Sequence, residues 1–148
     1  MMKLKILNKK EVRRILEILN KQWGIKKETN MAFLINRKNR LYVVNKEVLK
    51  FDMEKLRVDA LGLYLGELTN NEIRLSIEGS QIFGKEATKN VVELDEKQKI
   101  LWMKGYSIPL EQDTQSFQIV KSGNDFLGCG KIRNNNLTNF VPKTRIIK

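Results

Sequence analysis

The sequence predicts an α+β fold with two units, an N-terminal α/β unit whose sheet is mixed or antiparallel and a smaller β-rich unit at the C-terminus. Three observations lead to this prediction. Apolar side chains recur at helical spacing over residues 9–23. Strand-like runs rich in β-branched and aromatic residues alternate with turn residues from position 31 to position 77. One further helix and a second, cationic set of short strands then follow. We place the two units at 1–87 and 88–148.

The first helix is predicted over Lys9 to Trp23. Asn8 can serve as its N-cap, and Gly24 can end it. One apolar stripe is formed by residues spaced for a single face: Val12, Ile15, Leu16, Leu19 and Trp23. The cations lie elsewhere on the cylinder: Lys9, Lys10, Arg13, Arg14 and Lys21. They form either a surface that faces phosphates or the ordinary solvated face of an amphipathic helix.

A hairpin is predicted next. Met31 to Asn36 and Leu41 to Val44 are strands by their β-branched and aromatic content, and the polar segment Arg37 to Arg40 is the turn that joins them. This turn places three cations at one tip, where they either contact a polyanion or simply solvate the hairpin. Asn45 is expected to cap a short helix from Lys46 to Phe51.

The middle of the chain is acidic and rich in predicted strands. Residues 58–68 form the most strand-like run, and Gly62 and Gly66 inside it indicate a bend or a close backbone approach. Residues 69–72 are predicted as a turn, after which residues 73–77 pair back as a hairpin. A short helix follows, from Ser76 or Ser80 to Lys89, with these residues facing inward: Ile82, Phe83 and Ala87.

The second unit begins near residue 89. Its helix is predicted over residues 94–104, capped by Asp95 or the residue before it and stopped by Gly105, with apolar positions at Ile100, Leu101 and Met103. Residues 106–110 are expected to be extended, because the residue before a proline avoids the α region. The remaining elements are a loop over 111–116, a strand over 117–121, a tight turn over 122–125 and strands over 126–133 and 137–141.

The charge of the chain indicates a polyanionic partner. The 148 residues carry a formal net charge of +11 and include no histidine. Nucleic acid is the first candidate and an anionic membrane surface the second. A lysine-rich overall composition is the alternative explanation. The surplus is uneven, with net −3 over residues 58–87 and net positive charge on both sides of that segment.

Several classes of site are excluded by residue type. Without histidine there is no Ser-His-Asp triad and no histidine metal site, and one cysteine cannot form a cysteine-cluster zinc site. Phosphate-cradling glycine loops are also absent. Cys129 is expected to be a buried structural thiol. We therefore expect a protein that is not an enzyme and has no metal or cofactor. The single cysteine and the lack of a long apolar run favour a soluble cytoplasmic protein that does not bind membranes.

Lysine and arginine side chains from separate segments of the second unit are the candidate binding groups. They can bind phosphates, and glycines beside them would let an RNA backbone approach. Tyr106 and Phe140 are either stacking groups or core residues. The predicted RNA-binding residues are Lys104, Gly105, Tyr106, Lys121, Lys131, Arg133, Lys143 and Arg145.

The tail also resembles a known family. Leu127-Gly128-x-Gly130-Lys131, followed by Leu137-x-Asn139-Phe140-x-Pro142-Lys143, is similar to the end of the PUA-like domain of RNA cytosine-C5 methyltransferases of the Nol/Nop/Sun group. Ile100 to Gly105 resembles the helix end that precedes the first PUA strand. The chain departs from the family pattern at Thr138, where a lysine is usual, and at Cys129, where a large apolar residue is usual. The resemblance implies a PUA-like β-barrel with a short helix.

The N-terminal half resembles the α/β domain that precedes the PUA domain in ribosome-biogenesis factors of the Nip type, through segments 40–50, 61–68 and 74–76. The resemblance implies a non-catalytic protein that binds rRNA or tRNA in RNA modification or ribosome biogenesis, with pre-ribosomal proteins as further partners. A methyltransferase domain would need roughly 200 more residues. An RNA-recognition subunit that works in trans with a separate RNA cytosine-C5 methyltransferase is the alternative, and a protein-interaction module with incidental charge is the third hypothesis.

Overall fold

The computed structural model describes residues 4–26, 31–47, 62–112, 114 and 116–147. Two five-stranded sheets organise this part of the chain. The first sheet contains β1 (Lys5–Ile6), β2 (Met31–Ile35), β3 (Arg40–Asn45), β4 (Leu63–Thr69) and β5 (Glu72–Leu75), in that order and antiparallel throughout. The predicted helix from Lys46 to Phe51 lies mostly outside the described residues, as does the start of the strand predicted over residues 58–68.

Helix α1 (Lys9–Trp23) has the predicted bounds because its signals are local. The Asn8 side chain accepts a hydrogen bond from the Glu11 N–H, and the Glu11 carboxylate accepts one from the Asn8 N–H, which is a capping box. Gly24 ends the helix with φ 70°, a left-handed conformation that glycine adopts without steric cost. The apolar stripe faces the sheet, and Leu19 and Trp23 are fully buried.

Helix α2 (Ile77–Phe83) follows β5 and continues into a 3₁₀ turn, Gly84–Glu86. The Ser76 hydroxyl accepts a hydrogen bond from the Gly79 N–H and caps the helix. A Cβ atom on Gly79 would lie 2.1 Å from the Leu65 carbonyl oxygen, so only glycine permits this close approach to β4. The helix thereby packs tightly over the first sheet.

The second sheet is a curled, mixed half-barrel. It comprises β6 (Val91–Glu93), β7 (Ile108–Pro109), β8 (Phe117–Ser122), β9 (Asp125–Arg133) and β10 (Asn136–Asn139) in the order β6-β8-β9-β10-β7. The β6–β8 pair is parallel and the other pairs are antiparallel. The predicted α+β class, with an antiparallel N-terminal sheet and a barrel-like second sheet beside a short helix, is confirmed.

Helix α3 (Glu96–Met103) is the short helix of the second sheet, and Asp95 caps it as predicted. Its burial differs from the expected apolar positions. Trp102 is fully buried and donates its indole N–H to the Leu127 carbonyl oxygen at 3.1 Å. Ile100 and Leu101 are 48% and 44% exposed. The helix therefore anchors through its tryptophan and leaves two large apolar side chains half in solvent.

A bulge in β9 decides which side chains face which core. Ile119 pairs with Cys129 and Lys121 with Phe126, so one extra residue is accommodated between these two pairs. Gly128 adopts φ 100° there, and its N–H donates to the Ser80 hydroxyl at 2.9 Å. Without the bulge, strict alternation would place Phe126 and Cys129 on opposite faces.

One hydrophobic core joins the two sheets. It contains Trp23 and Phe33 from the N-terminal half together with Ile119 and Cys129 from the second sheet. A smaller core inside the half-barrel is built around Trp102. None of the helices in the described part of the chain has the length and apolar character that crossing a bilayer demands.

Candidate nucleic-acid interface

One side chain holds the end of α3 against the C-terminal tail, which is the segment after β10, residues 140–147. Asn139 donates from its Nδ2 atom to the Trp102 carbonyl oxygen at 2.7 Å and to the Tyr106 carbonyl oxygen at 2.9 Å. Its Oδ1 atom accepts the Val141 N–H at 2.7 Å. The Asn139 amide therefore uses both its nitrogen and its oxygen to hold these segments in position. Asn139 was part of the sequence motif, but sequence reasoning assigned it no role.

The tail continues across the end of the helix. The Ile147 N–H donates to the Met103 carbonyl oxygen at 2.9 Å. Gly105 has φ 92°, and a Cβ atom there would lie 2.8 Å from Ile146 Cδ1. Gly105 therefore has a packing role toward the tail in addition to the RNA contact predicted for it. The 3₁₀ turn Lys143–Arg145 lies within this tail.

Three of the predicted residues lie at exposed positions on the two segments that Asn139 joins. Lys104 and Tyr106 flank Gly105, and Lys143 is carried by the packed tail. Lys104 and Lys143 are exposed, and the Tyr106 side chain is 60% exposed. Neither lysine forms an ion pair with a residue that the structure describes. We call Lys104, Gly105, Tyr106 and Lys143 the helix-end surface.

Lys131 and Arg133 lie toward the other end of β10, beside the turn formed by Asn134 and Asn135. Both turn residues have positive φ, at 52° and 59°, as a two-residue hairpin turn of type I′ requires. Arg133 is exposed, whereas the Lys131 side chain is only 16% exposed. Lys131 lies 3.7 Å from the Glu72 carboxylate and 4.8 Å from the centre of the Phe117 ring. It therefore bridges the two sheets.

Lys121 and Arg145 occupy two further places. Lys121 lies 3.8 Å from the Glu93 carboxylate, near the turn at Gly123. Arg145 forms an ion pair with Glu78 of α2 at 2.5 Å, which links the tail to the N-terminal half. The eight predicted residues are thus not one cluster. Four form the helix-end surface, and the others are distributed over three separate sites.

Cys129 is not placed for nucleophilic chemistry. The thiol is buried, and burial raises its pKa to about 12. A thiol must ionise to act as a nucleophile, so this one is inert at neutral pH. Among the residues that the structure describes, no group of three or more metal-binding side chains is close enough to hold a metal ion.

A cationic cleft that sequence reasoning missed lies between the first sheet and the tail. Its volume is about 470 Å³, and Arg40, Tyr64, Arg74, Phe140 and Arg145 are among the side chains that line it. Arg40 and Arg74 come from strands separated by β4, so their proximity depends on strand register. No local signal in the sequence would have found it, because register over three strands is a property of the assembled sheet.

Comparison with known proteins gives two family matches that lie side by side. Residues 4–77 match the model of the NIP7/UPF0113 pre-PUA domain, and residues 89–147 match the model of the methyltransferase RsmF PUA domain. Neither matched domain is the catalytic domain of a methyltransferase. The first match covers the first sheet with α1, and the second covers the half-barrel with α3 and the tail.

A curated relative supports the same assignment. The chain is 33% identical over 90 residues to ribosomal RNA small subunit methyltransferase F of Aeromonas salmonicida (strain A449). The aligned part is 60% of this chain and 19% of that protein, so the chain spans about a fifth of the relative's length. The C-terminal part of the chain is similar to the PUA domain of RsmF-type methyltransferases, and the chain belongs to the NIP7/UPF0113 pre-PUA domain family.

Proposed function

We propose that this protein binds ribosomal RNA through the helix-end surface and performs no catalysis itself. The observation that carries the proposal is the joint anchoring of the α3 end and the tail by Asn139. The two joined segments carry an exposed tyrosine and two exposed lysines, neither of which pairs with a carboxylate in the described part of the chain. Exposed lysines that have no anionic partner among the described residues are available for phosphates. An exposed aromatic ring can stack on a base of unpaired RNA.

The other predicted cations have supporting roles in this proposal. Lys121, Lys131 and Arg145 each have a carboxylate partner, so a phosphate would have to compete with that partner. Arg133 is exposed at the Asn134–Asn135 turn and extends the positive surface. The net charge of +11 adds a long-range attraction that is independent of RNA sequence.

The comparisons suggest which RNA to test first. The relative from Aeromonas salmonicida is named as a small-subunit ribosomal RNA methyltransferase, so small-subunit rRNA is the first RNA to test. Absence of catalysis is supported by the identity of the two matched domains and by the buried, protonated thiol of Cys129.

The test is the affinity for structured rRNA fragments as a function of salt concentration. The double variant Lys104→Ala/Lys143→Ala should reduce the slope of log K against log salt by roughly 1.4 to 1.8, because each lost phosphate contact removes about 0.7 to 0.9. The matched control is Lys9→Ala/Lys10→Ala, which removes two exposed lysines from α1. Equal slopes for the two double variants, or an affinity that does not change with salt, would contradict the proposal.

A second function has a specific observation in its favour. The chain is similar to part of a methyltransferase, and neither of its matched domains is a catalytic domain. This similarity favours an RNA-recognition subunit that works in trans with a separate RNA cytosine-C5 methyltransferase. The test is to add the purified protein to a methyltransferase from which the PUA domain has been deleted. Stimulation that is lost with Lys104→Ala/Lys143→Ala would support this function, and rates that do not respond to the protein would exclude it for that enzyme.

A further inference from the structure

We propose that the cleft between the first sheet and the tail binds one nucleotide of the RNA strand, with its phosphate at the arginines and its base or ribose against Tyr64. This inference rests on the proposed RNA-binding function and extends the contact from the PUA domain to the pre-PUA domain. We call the space lined by Arg40, Tyr64, Arg74 and Arg145 the arginine cleft.

Two of the arginines that line the cleft, Arg40 and Arg74, belong to a row of three charged residues on adjacent strands. Arg40 on β3 pairs in register with Glu67 on β4, and Glu67 pairs in register with Arg74 on β5. Side chains of directly opposed residues have Cβ atoms about 5 Å apart, so the two arginines flank one carboxylate. The row carries a single excess positive charge at neutral pH.

The side chains of the two arginines in this row differ in their contacts. Arg74 donates to the Glu67 carboxylate at 2.9 Å, and its guanidinium lies 4.8 Å from the centre of the Phe140 ring. Arg40 is exposed and forms no ion pair with a residue in the described ranges. Arg74 is therefore a fixed part of the wall, whereas Arg40 supplies the charge that is available to a phosphate. A guanidinium suits this role because it can donate two parallel hydrogen bonds to phosphate oxygens.

Tyr64 lies close to both arginines of the row. Burial raises the pKa of its hydroxyl, while the charges of Arg74 and Arg40 act in the opposite direction. Both guanidinium groups are thus close enough to the hydroxyl to influence its ionisation. The Tyr64 ring lies 5.5 Å from the ring of Tyr42, which supports it from one side.

The size and position of the arginine cleft favour a single nucleotide within a strand. Its volume of about 470 Å³ falls in the range of small-ligand sites. Pro142, Thr144 and Arg145 of the tail form one wall, and the tail also carries Lys143 of the helix-end surface. Glu78 also lines the cleft and pairs with Arg145. A strand that leaves the helix-end surface along the tail would therefore pass this ion pair and reach the exposed guanidinium of Arg40.

The experiment compares Arg40→Ala with Arg37→Ala. Arg37 is also exposed and lies three positions earlier, on the β2–β3 turn, but it does not line the cleft. With a single-stranded rRNA segment, Arg40→Ala should lower the slope of log K against log salt by about 0.7 to 0.9 and weaken binding about 5- to 8-fold at 0.1 M salt, the value of one released counterion. Arg37→Ala should leave both quantities near those of the parent protein.

Ultraviolet crosslinking gives a second measurement that does not depend on a variant. Peptides from bound RNA complexes should carry a crosslinked nucleotide on Tyr64. Crosslinks confined to the PUA domain, together with equal affinities for the two arginine variants, would overturn the inference and leave the proposed function intact. No RNA binding by the parent protein would overturn both.

Free mononucleotide offers the same phosphate and base, and it is tested in parallel. If mononucleotide binding depends on Arg40 while RNA affinity is equal in Arg40→Ala and Arg37→Ala, the arginine cleft takes a free nucleotide and the inference about an RNA strand is wrong. If mononucleotide suppresses the crosslink between Tyr64 and bound RNA, mononucleotide and RNA compete for the arginine cleft. That result would support the inference.

Discussion

Trp23, the last residue of α1, donates its indole N–H to the carbonyl oxygen of Phe117 in β8 at 3.1 Å. The bond connects the first helix to the second sheet across 94 positions of the chain, inside the core that both sheets share. The Thr88 N–H donates to the Trp23 carbonyl oxygen at 2.8 Å, so Trp23 also holds the segment that links the two sheets in place. The pre-PUA and PUA domains are therefore packed through a continuous interior.

Replacement of Trp23 by Phe should lower the free energy of unfolding by about 1 to 3 kcal/mol, because the Phe117 carbonyl oxygen would be left buried without its donor. The shared core predicts one cooperative transition in urea, monitored by fluorescence and by circular dichroism. Trp102→Phe is the control, because it also removes an indole hydrogen bond, but one that joins Trp102 to Leu127 within the second domain. Two separate transitions in the parent protein would show that the domains unfold independently.

Asn139→Ala should reduce RNA affinity without removing any charge. The substitution releases the carbonyl oxygens of Trp102 and Tyr106 and thereby loosens the helix-end surface. We expect a loss of stability of about 1 to 3 kcal/mol from the unsatisfied groups. Asn136→Ala on the same strand is the matched control, because the exposed Asn136 side chain bonds, among the described residues, to the nearby Asn134 carbonyl oxygen. Similar RNA affinities for the two variants, measured where both are folded, would contradict the positioning role.

Cys129 should not react with a thiol reagent in the native protein at pH 8, because burial holds its pKa near 12. The sign of the pH dependence follows from that shift. Below the ordinary pKa of 9.0 the thiol is protonated in both states and has no effect. Between pH 9 and pH 12 only the unfolded state loses the proton, so this thiol lowers the free energy of unfolding by about 1.4 kcal/mol per pH unit.

The measurement is urea unfolding of the parent protein and Cys129→Ala from pH 7 to pH 11. The variant should be less stable at pH 7 because of the cavity, and it should lack the alkaline loss that the thiol causes. Rapid modification of the native thiol at pH 8 would show that the site opens far more readily than its burial indicates.

Gly128→Ala should destabilise the protein by about 1 to 2 kcal/mol or more, since φ 100° is disfavoured for a residue with a Cβ atom. The strained bulge would also weaken the bond from the Gly128 N–H to Ser80. Gly123→Asn is the control: Gly123 has φ 59° in an exposed turn with nothing within 4 Å, and asparagine tolerates that conformation. A loss of stability as large in Gly123→Asn as in Gly128→Ala would show that bulge geometry is not the cause.

Much of this architecture follows from local signals in the sequence. The bounds of α1 are those predicted, because the Asn8 cap, the apolar stripe and Gly24 all act within a few residues. Paired asparagines at 70–71 and at 134–135 take positive φ and form two-residue hairpin turns for the same reason. The motif around Gly128 to Lys143 also identified the PUA resemblance, which the family matches confirm.

Only the tertiary structure decided how the cations are distributed. Lys131 was predicted to hold RNA, and that role stays a prediction, but the fold places it against Glu72 and Phe117 from other strands. The row of Arg40, Glu67 and Arg74 exists because three strands are in a particular register. Such contacts join residues that are distant along the chain, and their geometry depends on strand register, the β9 bulge and the shared core together. The sequence by itself therefore determined most of the elements and the family, and long-range packing determined which charges are exposed and which are paired.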